Sequence, residues 1–408
     1  MNRIFRRALA LLGALVFVLP LTSCGKKGSD DPAAGSLAPV ETAMPTPTPV
    51  PAEPTMPATP LVAWPTNQVV EHLFFHPVVA YPELAFDGDS EAEGIDKYMV
   101  TVDEYNKILQ SCYDRGYVLV NMNDVWSEYT NENGEKRMQR NSFMVPEGKK
   151  PLCISYDDTN YYPYMLENGF TWKLILQDGE VRSYGKDPQG AEVISRDLDA
   201  ITILDKFVEE HPDFSVNGVK GCLSLTGYQG ILGYRTQTDT DHPEAAFEEN
   251  RQAEIAAVKP IVQRLKETGW YFGSHTWGHI RLSTKSLEAV QRDTERWAAE
   301  VGSIVGPTQI LFYPHGARPD NDHDQGDPGP MFQYLQSQGF RIFASVGINS
   351  YEQVKKQTDA VTIDRLHPDG TTLRWRRKDY TQFFDTWEVI DLDVRPNLAY
   401  DRNPDGPK

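Results

Sequence analysis

Positive charge is in short supply in this sequence. Forty lysines and arginines stand against 58 aspartates and glutamates, a formal net charge of -18 over 408 residues. General nucleic-acid binding needs a basic face to neutralise phosphates, so the balance argues against that class. It also gives the folded part no electrostatic hold on an anionic membrane. Long apolar runs are missing as well: Ala8 to Leu19 is shorter than the roughly 20 residues of a bilayer span, and no later stretch is apolar enough. Cysteine is sparse, at four residues. With Cys24 set aside for the reason given next, Cys112, Cys153 and Cys222 cannot all pair within one chain. Cys153 and Cys222 sit in strand-like runs, so all three are read as buried thiols, with one disulfide plus one free thiol as the alternative. What is present, 40% hydrophobic and 24% charged residues, is the composition of a soluble globular protein with one large domain or two ordinary ones.

The amino terminus has the layout of an export signal. Arg3, Arg6 and Arg7 precede the apolar run, and Leu21-Thr22-Ser23-Cys24 follows it. This resembles the lipobox of bacterial lipoproteins, which implies cleavage before Cys24, a lipid on its sulfur and an extracytoplasmic protein anchored to the membrane through that lipid alone. An ordinary secretory signal is the alternative. Residues 25–66 are then a linker, with the Pro/Thr-rich run Pro45 to Pro51 at its centre. Such a segment is semi-extended and builds no core. The folded region is expected over 67–408.

Within it, helix and strand periodicities alternate. His72 to His76 reads as a buried strand. Thr101 to Tyr113 reads as a helix, with Thr101 and Glu104 as a capping box and Tyr105, Ile108, Leu109 and Cys112 on one face. Strands are expected at 117–120, 152–156, 221–225, 270–273, 309–313 and 341–344. Helices are expected at 198–210, 248–267, 286–301 and 331–338, and a hairpin turning at Asp178-Gly179 near 172–183. This alternation is that of an α/β protein with parallel strands, whose carboxyl ends gather functional residues.

Three polar clusters end such strands. They are Asp157-Asp158, then His275-Thr276-Trp277-Gly278-His279, then Tyr313-Pro314-His315-Gly316. Each alone is weak: an acidic pair is ordinary in an acidic chain, and Tyr-Pro-x-Gly alone is a turn. In conjunction they carry chemistry. Two imidazoles and a carboxylate suit zinc and leave a position for water. A second carboxylate kept off the metal can accept that water's proton. Adjacent residues of an extended chain point opposite ways, so paired aspartates can divide the two roles. A metalloprotease would need Glu where Thr276 stands, which rules out that arrangement.

The order Ser155-Tyr156-Asp157-Asp158, His275 to His279, Tyr313 to Gly316 resembles the polysaccharide deacetylases of carbohydrate esterase family four. The resemblance runs from about Val69 to Ile348, with the motif core at about 150–350 and a large insertion between the first two motifs. It implies a distorted (β/α) barrel and a metal-dependent hydrolase that removes acetyl groups from an extracellular or cell-wall polysaccharide, N-acetyl before O-acetyl. It implies a divalent ion, zinc first, held by Asp158, His275 and His279, with Asp157 as general base and the His315 backbone N–H at the oxyanion. It places Tyr313, Pro314 and Gly316 beside the substrate.

The sequence departs from the family pattern at Thr159, where glycine is usual, and at Phe312, where an arginine usually orients the base. It also lacks a clear Leu-x-His motif to supply the general acid. Arg365 and His367 are the candidate replacements. Without one, the chain would be a silent glycan-binding lipoprotein that keeps the fold. Tyr161, Tyr162 and Tyr164 are placed either to stack on sugar rings or to pack internally. Thr226 to Tyr228 and Gly233 to Arg235 are expected to wall the cleft. Asp320 to Asp324 lacks the Gly and Glu of a calcium loop and reads as a solvated acidic loop. Arg374 to Lys378 reads as a charged strand edge.

Overall fold

The computed structural model describes residues 59–238, 245–319, 329–354 and 359–396. Cys24, the export signal, most of the linker and the acidic loop at 320–324 lie outside the described residues.

Among the described residues, seven parallel strands run in chain order around the molecule: β1 (Glu71–Phe75), β2 (Lys150–Asp157), β3 (Cys222–Leu225), β4 (Tyr271–Ser274), β5 (Ile310–Phe312), β6 (Ile342–Val346) and β7 (Val361–Arg365). Each pairs with the next. The ring closes where Leu73 faces Leu366 in parallel, through Phe74 N–H to the Leu366 carbonyl and Leu366 N–H to the His72 carbonyl, both 2.9 Å. The expected distorted α/β barrel is therefore what the chain forms. Two short strands extend the sheet, Tyr117–Leu119 beside β2 and Glu352–Val354 antiparallel to β7.

The strands are buried on both faces, as parallel strands covered by helices must be. The period of two sorts their side chains. Leu73, Phe75, Ile154, Tyr156, Leu223 and Leu225 point outward into a core shared with α1 (Val102–Asp114), α2 (Ala200–Glu210) and α3 (Ala245–Glu267). Cys153, Cys222, Ile310, Phe312, Ala344 and Ile363 pack together inside the barrel. The inward set continues at the strand ends as Asp157 and Arg365, and it is this continuation that builds the site.

Local signals act as read. Thr101 and Glu104 form both halves of the capping box of α1. The hairpin turns at Asp178 and Gly179 with φ 55° and 80°, the left-handed pair a two-residue turn demands. The helix expected at 286–301 is α4 (Leu287–Trp297) followed by a π turn over Ala298–Gly302. The last of the expected helices is α5 (Pro330–Ser337). The three remaining cysteines are buried free thiols.

Two expectations fail. Leu61–Ala63, placed in the linker, pairs with Met144–Pro146. The basic run at 374–378 is no strand edge: it ends α6 (Gly370–Trp375) and enters a second short helix, Arg377–Tyr380. Asp369 and Thr372 cap α6 reciprocally, and Arg374 is buried against Asp96 at 2.9 Å.

Candidate active site

β2 delivers Asp157 as its last residue, and the chain then turns sharply, with Asp158 at φ 58°. Asn160 pins this turn by donating to the carbonyls of Thr226, at 2.9 Å, and of Gly230. The loop after β4 carries Thr276 at φ 59° and His279 at 49°, and the turn after β5 carries His315 at 59°. Four non-glycine residues in the left-handed region thus surround one point. Each costs on the order of 1 kcal/mol or more and persists only where surrounding contacts hold it.

The ligand atoms of Asp158, His275 and His279 all lie within 4.8 Å of one another. His279 Nε2 is 3.6 Å from Asp158 Oδ2. The other oxygen, Oδ1, accepts the Tyr162 hydroxyl at 2.6 Å, so one carboxylate oxygen is committed and one is free. His275 Nδ1 lies 3.1 Å from the Phe312 carbonyl, which can only accept; Nδ1 therefore carries the proton and Nε2 faces the cluster with its lone pair. One carboxylate and two imidazoles, with outer atoms of Asp158 and His275 already engaged, are the donor set of a zinc site, so the residues fit the ion that the family resemblance implies.

Asp157 borders this set, its Oδ2 3.8 Å from His275 Nε2, but its oxygens are engaged elsewhere. Arg365 donates to both its oxygens at 2.8 Å, and also to Ser155 Oγ at 2.9 Å. The guanidinium is fully buried and lies between the rings of Phe74, at 4.1 Å, and Phe312, at 4.5 Å. Phe312, where the sequence departs from the family pattern, is thus one plate of the clamp around Arg365. Gly273 makes the room: a Cβ there would lie 2.4 Å from the Phe312 ring. Burial alone would raise the Asp157 pKa, but Arg365, with His275 and His76 behind it, holds it well below the usual carboxylate range. For Asp158 burial is again opposed, by His279, His275 and His76, and the pKa is lowered. His275 is pushed down by burial, against the pull of both aspartates.

His367 makes no direct contact with Asp157 or Asp158. Its Nδ1 is 3.0 Å from Asp369 Oδ2 and its Nε2 is 3.0 Å from His76 Nδ1. His76 is the imidazole at the site, with Nε2 3.9 Å from Asp158 Oδ2. Sequence reasoning missed His76, although His72, Phe74 and His76 alternate along one strand face. Burial and His367 push His76 down to about 4. Burial and His279 lower His315, whose ring is exposed and 4.5 Å from that of His279.

Of the other residues expected beside the substrate, Tyr161, Tyr162, Tyr313 and Pro314 are buried, and for the first two tyrosines packing is the role observed. Tyr161 is completely buried and donates to Asp199 at 2.8 Å, a core contact. Tyr162 is buried between Asp158 and Thr226, serving the carboxylate instead of a sugar. Tyr313 and Pro314 are buried, Tyr313 in the cluster around Phe332 and Phe343. Gly316, at φ 61°, lies against Val346. Of the expected walls, Tyr228 is half-buried and stacks on Tyr162 at 5.2 Å, while Arg235 is a buttress, donating to the Tyr161 carbonyl at 2.8 Å.

Residues 238–325 match the family model described as polysaccharide deacetylase, a span holding the second and third motifs. No curated protein matches the sequence. Three solved structures are similar at low identity. The Streptococcus pyogenes deacetylase PplD, in complex with acetate, is 13% identical over 75% of this chain and 94% of its own, with a TM-score of 0.40. A polysaccharide deacetylase from Bacillus cereus is 11% identical over 78% and 69%, at 0.39. A de-N-acetylase from Aggregatibacter actinomycetemcomitans is 12% identical over 78% and 100%, at 0.43.

Proposed function

We propose that this chain, which carries a polysaccharide deacetylase domain, is a metal-dependent hydrolase that removes acetyl groups, N-acetyl before O-acetyl, from an extracellular or cell-wall glycan. The observation that carries this is the division of labour between adjacent aspartates. Asp158 joins His275 and His279 in one donor set, while Asp157, beside that set, is clamped by Arg365.

When bound, a zinc ion supplies a Lewis acid that acidifies water and polarises the acetyl carbonyl. The protein's own groups manage the protons. Asp157, kept ionised by Arg365, takes the proton of the attacking water on a remaining lone pair. His76 serves the leaving group. Asp369 accepts Nδ1–H of His367, and Nε2 of His367 accepts Nδ1–H of His76. His76 Nε2 is then the atom that carries a proton to and from the site. Its ring is neutral at rest; it takes over the proton that Asp157 accepted from the water and passes it to the leaving nitrogen as the C–N bond breaks, so that Asp157 and His76 end as they began. The general-acid role expected at His367 thereby moves to His76, with His367 and Asp369 orienting it. The His315 backbone N–H is proposed at the oxyanion.

The silent-binder alternative rested on two gaps, the missing arginine beside the base and the missing general-acid motif. The Arg365 clamp supports the enzyme instead. Metal analysis of the purified protein, with acetate release from a panel of acetylated glycans, tests the reading. Release that stops on chelation and returns with zinc is expected; a zinc-loaded protein that deacetylates nothing in the panel would overturn it. Anchoring through a lipid on Cys24 belongs to the same proposal. Cys24→Ala should release the protein from the membrane fraction, and unchanged retention with unchanged fatty-acid labelling would refute the anchor.

A further inference from the structure

The ring of His279 is the least buried of the three ligands, its side chain 25% exposed against 2% for His275 and 11% for Asp158. Among the described residues no hydrogen bond holds that ring. Its position is set by its backbone, in a loop with left-handed residues at Thr276 and His279. Between them lie Trp277 and Gly278, and both of their N–H groups donate to one carboxylate. Asp293 Oδ2 accepts Trp277 N–H at 2.6 Å and Oδ1 accepts Gly278 N–H at 2.8 Å. The Trp277 carbonyl is held from the other side by N–H of Gly227, at 2.8 Å, and of Tyr228, at 3.0 Å. The indole is fixed as well: Nε1 donates to Glu300 at 2.8 Å, and Arg296 lies over the ring at 3.5 Å. Asp293 and Arg296 belong to α4, and Glu300 to the π turn that follows it.

We infer that Asp293 is a positioning residue for the metal ligand His279, its carboxylate holding the strained loop in the turn that brings the imidazole to Asp158. The inference rests on the metal site proposed above. A carboxylate suits the task because it offers only acceptors to two parallel N–H groups. An asparagine would turn an NH₂ toward one of them, leaving that N–H opposed. Gly278 belongs to the same contact: a Cβ there would lie 3.1 Å from Asp293 Oδ1, so a methyl presses on the clamp without touching a ligand.

The test uses the purified protein and zinc itself, titrated against a chromogenic chelator, with cobalt(II) substitution as a spectroscopic report of ligand geometry. Loss of an outer partner of a metal site typically weakens affinity about 10–100-fold. Asp293→Asn should bind zinc weaker by that factor and alter the visible cobalt spectrum. Gly278→Ala should move both readouts the same way by less. Asp96→Asn is the control, a buried carboxylate bonded to Arg374 and Arg395 and, among the described residues, to none of those at the site. It should lower the melting temperature and leave zinc affinity unchanged. Parent-like zinc affinity and cobalt spectrum in Asp293→Asn, whatever its melting temperature, overturn the inference and leave the metal site standing. If Asp293→Asn yields no folded protein, Gly278→Ala decides, and parent-like affinity there overturns it. A parent that binds no zinc removes the metal reading and this inference together.

Discussion

Replacing Arg365 with methionine tests the clamp most directly. Methionine has similar length and can lie between Phe74 and Phe312, so packing is largely kept while the charge and its donors go. The substitution removes both hydrogen bonds to Asp157 and the one to Ser155. It leaves the Asp157 carboxylate buried, with a side chain 4% exposed. Removing one partner of a buried ion pair costs about 3–5 kcal/mol, because the other is left uncompensated. At roughly 2 °C per kcal/mol for a large domain, the melting temperature should fall by about 6–10 °C. The sign of the pH effect follows from the shift. In the parent, the pKa of Asp157 is depressed, so the clamp's stabilisation is present above the ordinary aspartate pKa and is lost as pH falls through the depressed one. The base is thus ionised throughout the neutral range. In Arg365→Met, burial acts with only the imidazoles opposing it, the pKa rises, and the acid limb of the rate profile moves to higher pH. Thermal melts and acetate release from acidic to neutral pH, at matched metal content, read both effects. Arg365→Lys keeps the charge but not the paired donors and should fall between. An unchanged acid limb together with an unchanged melting temperature in Arg365→Met would refute the argument.

His76→Gln cannot carry a proton, so acetate release should drop by about 10²-fold or more with zinc retained; equal rates would return the acid role to His367. Tyr162→Phe removes the 2.6 Å hydrogen bond that commits Asp158 Oδ1, and zinc affinity should weaken about tenfold in chelator competition. No change there would mean that the hydroxyl does not orient the ligand. Gly273→Ala places a Cβ against Phe312 and should cost about 1–3 kcal/mol by chemical denaturation, so a parent-like midpoint contradicts the packing described. Arg395 is buried and bonded to Glu104, at 2.6 and 2.7 Å, and to Asp96, at 2.9 Å. Arg395→Met should cost about 3–5 kcal/mol, and a loss below 1 kcal/mol would show the cluster to be near neutral.

The barrel was legible where strands are continuous apolar runs ended by turn residues, as at 152–156 and 309–313. The hairpin Trp126–Thr130 with Lys136–Arg140 was not, because its strands are mostly polar on both faces. At Arg374 to Lys378 the charge pattern misled. The capping pair of Asp369 and Thr372 was the better signal, since it marks a helix start whatever residues follow. In the site, Asp157, Asp158, His275 and His279 were readable because their chemistry lies within two short motifs. Arg365 was found through the gap left by Phe312. His76 could not be read so, since its partner His367 is 291 residues away and only barrel closure joins them. Tyr161 and Tyr162 were read for their rings, whereas the tight turn at Tyr161, φ 54°, directs both hydroxyls to buried carboxylates.

The seam between β1 and β7 has a consequence for how the protein reaches its native state. His76 follows β1, and Arg365 and His367 lie at the end of β7, so the pairings that complete the site span nearly the whole folded chain. During synthesis, β2 and the aspartates emerge about 200 residues ahead of the arginine that neutralises them, a separation of 208 positions between Asp157 and Arg365. Until β7 arrives, a closed lumen would hold the Asp157 carboxylate without its arginine, at a cost of about 3–5 kcal/mol. The lumen must therefore stay open and wet until its last strand docks. Contacts of such sequence separation form late and slowly. Closing the barrel and creating the base are then one event, and a chain stopped short of β7 would leave an acidic, unsealed half-barrel whose exposed strand edges invite association with other chains.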